Sequence, residues 1–120
     1  ERGEGQGEGQ NLLEHELSFG GPMIYVVAYL KAHPGKSAEV LAAAQPLISA
    51  TRAEEGCIHY ELYQKPGEPE TLVFVENWSS RGALQAHFET AHIAAFGKAI
   101  ADLVAQTRVE VVHPEKVEVV

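Results

Sequence analysis

Two imidazoles, those of His87 and His92, are the side chains best suited to chemistry, and both lie in residues 78–96. A neutral imidazole, with an ordinary pKa of about 6.5, can accept a proton and return it near neutral pH. His87 lies on the apolar stripe of a predicted helix, so it is the candidate base. A structural role remains open for each: His87 as a core histidine bonded to the backbone, and His92 as support for a helix junction.

The spacing of these two histidines argues against a metal site. They are five positions apart, so on an unbroken helix their side chains point about 140° apart. Metal ligands on a helix are usually three or four positions apart on one face. Glu89 and His92 have a spacing of three, but no third ligand is identifiable. We therefore expect no metal.

Other reactive groups are few. The chain has no nucleophile-elbow serine motif, no glycine-rich phosphate-binding loop and no dinucleotide-binding fingerprint. The single cysteine, Cys57, falls inside a strand pattern with no base beside it, which favours a buried and unreactive thiol.

The composition of the chain limits the kinds of partner that it is expected to bind. The 120 residues carry a formal net charge of −8, and Lys and Arg form no cluster, which argues against nucleic-acid binding. Hydrophobic residues make up 45% of the chain, as in a globular domain. The apolar runs are too short to cross a bilayer. We expect a cytoplasmic protein.

Two regions differ in composition. Residues 1–22 begin with ten residues of Gly, Glu, Gln and Arg, and we interpret them as a flexible added tag or natural extension, with a short helical turn at 11–19. Residues 23–120 form the predicted domain.

The elements that must position the histidines follow from periodicity. Strands are predicted at 23–32, 57–65 and 71–78, with a last strand at 107–113 and 116–120. A first helix spans 37–55, contains Pro46 and stops at Gly56. A second helix starts near Arg81 after a cap at Ser79 or Ser80, restarts at Thr90 and runs through Val104. This β-α-β-β-α-β order predicts an α+β, ferredoxin-like split βαβ fold, with both helices on one face of a four-stranded antiparallel sheet.

The opposite face of that sheet is predicted to be apolar. Its residues would be Tyr25, Val27, Tyr29, Val73, Val75, Val109 and Val111. An uncovered apolar sheet favours a homodimer in which two such faces meet. Ile24, Val26, Ala28 and Leu30 would point towards the helices.

Several short motifs occur together in this order. They are Glu55-Gly56-Cys57-Ile58-His59-Tyr60, Glu76-Asn77-Trp78, Ala83-Leu84-Gln85-Ala86-His87, Thr90-Ala91-His92 and Phe96. With them, residues 23–113 resemble the antibiotic biosynthesis monooxygenase family of dimeric α/β-barrel domains. The resemblance implies a pocket between helices and sheet. It also implies cofactor-free oxidation of quinols or polyketide phenols, isomerisation of a phosphorylated signal, or haem degradation.

The residues at individual positions argue against some of these activities. The haem-degrading branch has a histidine ligand, an asparagine and a tryptophan where this chain has Gly97, Ala28 and His87, so we expect no haem. The anthrone-oxidising branch shares Trp78 but has an asparagine in place of Phe74. The chain looks most like the quinol-monooxygenase-like members, which implies an enzyme without a cofactor.

The predicted function is therefore monooxygenation of a small aromatic quinol or phenol by dioxygen. The catalytic candidates are His87 and His92, and the expected substrate-binding residues are Trp78, Phe74, Tyr60, Phe96, Val26 and Ala28. Trp78 could also serve packing alone. Two alternatives remain open, a non-catalytic small-molecule sensor and an isomerase of a small signal metabolite.

Overall fold

The computed structural model describes residues 22–120, so the helical turn predicted at 11–19 lies outside the described residues. The elements are β1 (Ile24–Ala32), α1 (Ser37–Arg52), β2 (Cys57–Lys65), β3 (Glu68–Trp78), α2 (Arg81–Phe88), α3 (Ala91–Ile100) and β4 (Val104–Val112). Within residues 22–120, no helix is long and apolar enough to cross a membrane.

The four strands form one antiparallel sheet in the order β2-β3-β1-β4. This order confirms the predicted ferredoxin-like α+β fold. One face of the sheet supplies the core row Ile24, Val26, Ala28 and Leu30, which joins the buried side chains of the helices in a single cluster. The helix-facing side of β1 is therefore as predicted.

The first helix buries one stripe of side chains and ends earlier than expected. Val40, Ala44, Leu47 and Thr51 are buried, and the helix continues through Pro46. It ends at Arg52, so Gly56 does not stop it. Gly56 instead has a φ of +92° in the turn that leads into β2, a conformation that glycine adopts without strain.

The second half of the chain departs from the prediction at β4. The helix predicted to reach Val104 ends at Ile100, and Val104 already begins the strand. Residues 113–120 form no strand, so the predicted strand segment at 116–120 is wrong.

The register of β4 also corrects the predicted outer face. Val111 pairs with Val26, and Val109 pairs with Ala28. Directly paired residues point to the same side of a sheet, so both valines face the helices and not the opposite side. Val112, Glu110 and Arg108 take the outer positions, opposite Tyr25, Val27 and Tyr29.

Candidate active site

The argument against a metal site assumed one unbroken helix. The structure has two helices here, each with its own N-cap. The Ser80 hydroxyl accepts a hydrogen bond from the Ala83 amide and begins α2. The Thr90 hydroxyl accepts one from Ile93 and begins α3, as predicted. This break changes the chain direction between His87 and His92 and leaves their rings 6.1 Å apart. The premise that the two imidazoles diverge is therefore wrong.

A carboxylate that sequence analysis missed joins the two rings. Oε2 of Glu54 lies 2.7 Å from Nδ1 of His87 and 2.6 Å from Nε2 of His92. Glu54 lies just beyond α1, more than thirty residues before either histidine, where no periodic pattern singles it out. Acidic residues at 54 and 55, beside the glycine that enters β2, were the available signal.

Glu54, His87 and His92 also offer the donor types that bind transition metals. Their ligand atoms lie within 4.8 Å of one another, and a carboxylate with two imidazoles is a known metal-binding set. The separations of 2.6 and 2.7 Å are those of direct, charge-assisted hydrogen bonds. Two ligands that share an ion are farther apart, at about 3 Å or more. The arrangement fits a hydrogen-bonded cluster better than a metal centre.

These hydrogen bonds define which nitrogen of His87 is basic. A carboxylate only accepts, so Nδ1 of His87 must carry the proton that it donates to Glu54. In the neutral ring, Nε2 then keeps its lone pair, and Nε2 has no hydrogen-bond partner among residues 22–120. Burial lowers the pKa of His87, although Glu54 acts in the opposite direction. The neutral, proton-accepting form of His87 is therefore favoured near neutral pH.

The predicted aromatic residues form one cluster, and two of them lie directly against His87. The His87 ring is 4.7 Å from Trp78 and 5.4 Å from Tyr60, between ring centroids. Tyr60 is 5.2 Å from Phe74, which is 5.9 Å from Phe96. Burial raises the pKa of Tyr60, so its phenol stays protonated and can only donate or accept a hydrogen bond.

A second carboxyl group, missed as a site residue, lies within this cluster. Glu76 is 4% exposed on the helix-facing side of β3. Its Oε1 accepts a hydrogen bond of 2.9 Å from the indole of Trp78. Burial raises the pKa of Glu76 to about 7, and the charge of Glu54 adds to this effect. Side chains along β3 alternate between the two faces of the sheet. Phe74 and Trp78, each two positions from Glu76, point inward, and this alternation was the sequence signal that Glu76 points inward as well.

Val26 and Ala28 lie on the same face of the sheet, beside these groups. Val26 pairs with Glu76, and Ala28 pairs with Phe74. Val109, the neighbour of Ala28 on β4, is 54% exposed although it faces the helix side. The helix layer therefore leaves the inner face uncovered at β4, next to the smallest side chain of the β1 core row.

A surface cavity reaches the cluster from its other side. It measures about 390 Å³ and is lined by Glu54, Glu55, Gly56, Ala83, Ala86 and Thr90. The carboxylate that holds both histidines thus borders solvent, whereas His87 itself is buried.

Cys57 has the properties expected of an unreactive thiol. It is partly buried at the start of β2. Burial, together with the charges of Glu54 and Glu76, raises its pKa to about 12, so the reactive thiolate is scarce near neutral pH.

Comparison with known proteins gives a consistent family match. The model of the family described as antibiotic biosynthesis monooxygenase matches residues 23–99. YcnE of Bacillus subtilis, a candidate monooxygenase by name, is 45% identical over 74 residues, which are 62% of this chain and 78% of YcnE. YgiN of Escherichia coli, named as a candidate quinol monooxygenase, is 26% identical over 102 residues, covering 77% of this chain and 98% of YgiN.

A solved structure shares the same architecture. Protein SO0527 of Shewanella oneidensis superposes with a TM-score of 0.73 at 34% sequence identity. The match covers 78% of this chain and 91% of that protein.

Proposed function

Because the chain belongs to the antibiotic biosynthesis monooxygenase family, we propose that it oxidises a small aromatic quinol or phenol with dioxygen and without a cofactor. The observation that carries this proposal is the state of His87. Glu54 fixes its Nδ1 as a donor and leaves Nε2 as the nitrogen that can accept a proton, among aromatic rings. The quinol is the preferred substrate because YgiN, a relative over most of the chain, is named for quinols.

The reaction needs no external reductant. His87 removes one hydroxyl proton, and the resulting anion transfers an electron to dioxygen. The two radicals combine to form a carbon–oxygen bond at the ring, and the protonated His87 returns its proton to the peroxide. One oxygen atom stays on the ring and the other leaves as water. A quinol thus becomes a hydroxyquinone, the ring loses four electrons, and dioxygen takes up all four.

The substrate ring would lie against the inner face of the sheet. Phe74, Tyr60, Trp78 and Phe96 are buried together on this face, and apolar walls with a few polar groups are typical of small-molecule sites. Val26 and Ala28 form the floor, and the uncovered inner face at Val109 gives a route in. His92, which shares Glu54 with His87, holds the carboxylate in place during proton transfer.

A homodimer is the proposed assembly. In the single chain, Tyr29, Val75, Tyr63 and Val112 are exposed apolar side chains on the outer sheet face. A second copy of the same face would cover them by two-fold symmetry. The opposite face, which holds His87, would stay open to substrate.

Oxygen uptake tests the function. We expect the purified protein, with no haem or flavin absorbance band, to consume dioxygen with 1,4-dihydroxynaphthalene or another quinol of a small panel. Product analysis should find one hydroxyquinone for each dioxygen consumed, above the rate of autoxidation with heat-denatured protein. Binding of these quinols without turnover would refute the monooxygenase and favour a sensor, and an isomerised product would favour an isomerase.

A further inference from the structure

Glu76 takes no part in the proposed first proton transfer, from the substrate hydroxyl to His87. It lies between Phe74 and Trp78 on the inner face of the central strand β3, and its cross-strand partners are Val26 and Tyr60. At 4% exposure it is one of the few charged residues in the core. A buried carboxyl among apolar and aromatic groups destabilises a fold unless its oxygens are hydrogen-bonded.

The hydrogen bonds of Glu76 do not explain why this position has a carboxyl group and not an amide. Oε1 accepts from the indole of Trp78, but Oε2 has no hydrogen-bond partner among residues 22–120. A glutamine side chain could accept the same bond from Trp78 through its amide oxygen, without the cost of burying an ionisable group. The ionisable carboxyl thus adds nothing to the fold that an amide would not supply.

Trp78 places Glu76 close to the proposed base. The indole nitrogen bonds Glu76, and the indole ring lies 4.7 Å from the ring of His87. Tyr60 is the cross-strand partner of Glu76 and lies 5.4 Å from the same imidazole. Glu76 and His87 are therefore both neighbours of Trp78 and Tyr60, within one cluster of aromatic side chains.

We propose that Glu76 is a second catalytic base, which removes the ring proton from the carbon that has just bound oxygen. This inference rests on the proposed monooxygenation and assigns its second half. The hydroperoxide left by the first half cannot become a carbonyl until the hydrogen on that same carbon leaves as a proton. His87 has returned its proton to the peroxide by then, and Glu76 acts on the carbon.

The step balances as an elimination of water. Glu76 takes the proton from the C–H bond, and the electron pair of that bond becomes the second bond of the new C=O. The O–O bond breaks, and its electron pair leaves with hydroxide. Protonated Glu76 then gives its proton to this hydroxide, which yields water and restores the carboxylate. No oxidant beyond the dioxygen already bound is consumed.

The electrostatic surroundings of Glu76 suit both halves of this cycle. Burial raises its pKa to about 7, so near neutral pH it can take up a proton and release it again. The titratable groups around it are Tyr60 and Cys57 on β2, His87 on α2 and Glu54 after α1.

The test compares Glu76→Gln with Glu68→Gln, using 1,4-dihydroxynaphthalene with hydrogen or deuterium at carbons 2 and 3. Glu68 lies exposed at the other end of β3, so its variant controls for the loss of one carboxylate. We expect Glu76→Gln to lower kcat by about 10²–10⁴-fold, to show a primary deuterium isotope effect on kcat and to release peroxide. Glu68→Gln should behave like the unchanged protein in all three measurements.

The outcomes separate this inference from the function on which it rests. If the unchanged protein does not oxygenate the quinol, the proposed function fails and this role fails with it. If the unchanged protein is active and folded Glu76→Gln matches it in kcat, isotope effect and product, Glu76 has no such role, while the monooxygenase stands. If Glu76→Gln does not fold, the unchanged protein gives a second test. Its isotope effect on kcat should grow as pH falls below about 7, and an effect of one at every pH overturns the proposal.

Discussion

At the scale of single residues, the site depends on how one carboxylate constrains two imidazoles. Glu54 accepts from Nδ1 of His87 and Nε2 of His92, which fixes the tautomer and orientation of both rings. Fixing one nitrogen of a histidine as a donor is a general way to expose the other as a base. The geometry therefore leaves Nε2 of His87 as the proton-accepting nitrogen, as the proposed role of this residue requires.

Replacing His87 tests whether it is the catalytic base. We expect His87→Ala to lower kcat for a quinol by about 10²–10⁴-fold, with a smaller change in KM because the aromatic walls remain. In the unchanged protein, kcat/KM should rise with pH through an apparent pKa below the ordinary histidine value of 6.5, since burial lowers the pKa of His87. His33→Ala, at an exposed turn position, is the matched control.

The same variant distinguishes catalysis from packing. His87 is buried, so its truncation will also lower the melting temperature. A destabilised His87→Ala protein whose folded fraction keeps full activity would assign His87 to the core alone.

Glu76 should leave a signature in stability as well as in turnover. Its pKa is about 7 in the folded protein against an ordinary 4.5, so between these values the folded state binds more protons than the unfolded state. Stability must then fall as pH rises through this window. We expect the free energy of unfolding of Glu76→Gln, relative to the unchanged protein, to increase by about 3 kcal/mol from pH 4 to pH 8. Denaturant titrations at both pH values measure this, and a difference independent of pH would contradict the raised pKa.

At the scale of elements, the position of α2 depends on a close contact with the turn before β2. A Cβ atom on Gly56 would lie 2.6 Å from Cβ of Ala83 in α2 and 2.9 Å from Oγ of Ser79. Gly56 also has a φ of +92°. Its lack of a side chain thus lets α2, with His87 at its last turn, pack close to the turn that carries Glu54.

Alanine at this position should therefore disturb both fold and site. We expect Gly56→Ala to lower the free energy of unfolding by about 2–4 kcal/mol, from backbone strain and overlap together. Gly67→Ala is the matched control, because Gly67 has a φ of +81° but nothing within 4 Å of an added Cβ. It should cost about 1 kcal/mol from backbone strain alone. Equal losses in chemical denaturation would show that the contact with Ala83 contributes nothing.

At the scale of the whole molecule, the two faces of the sheet differ in what covers them. The helices cover most of the inner face, and the outer face of the single chain carries exposed Tyr29, Val75 and Tyr63. A large exposed apolar face is typical of an interaction surface. This asymmetry supports the proposed dimer, whose interface would lie on the face opposite His87.

A lysine on the outer face tests the dimer. Val73 has Tyr29 and Tyr63 as directly paired cross-strand neighbours, so Val73→Lys would bring a charge between two aromatic side chains of the proposed interface. We expect this variant to be a folded monomer at micromolar concentration by light scattering. Ala42→Lys adds the same charge at an exposed position of α1 and should stay dimeric. A monomeric unchanged protein would contradict the assembly.

Removal of the first 22 residues tests the proposed domain boundary. We expect the melting temperature to change by no more than a few degrees, because the seven elements described within residues 22–120 all lie after residue 22. A large drop would mean that the removed residues pack against the domain or its partner.

The sequence alone determined the element types, the fold class and the position of His87. These follow from local patterns: the period of two in β1, the apolar stripe of α1, and the caps at Ser80 and Thr90. Each pattern involves residues a few positions apart, so it can be read without knowledge of distant contacts. The family motifs likewise singled out Trp78, His87 and His92, whose rings lie near one another in the structure, because all three belong to one short segment.

The tertiary structure decided the register of β4 and the identity of both carboxylates. A shift of one residue in pairing exchanges the faces of a strand, and no local pattern specifies that β4 pairs Val109 with Ala28. Glu54 meets His87 only because the end of α1 packs beside α2, across 33 residues of sequence. The raised pKa of Glu76 arises from burial by several elements at once. These properties of the site depend on contacts between segments that are far apart in the sequence, and only the packed structure defines those contacts.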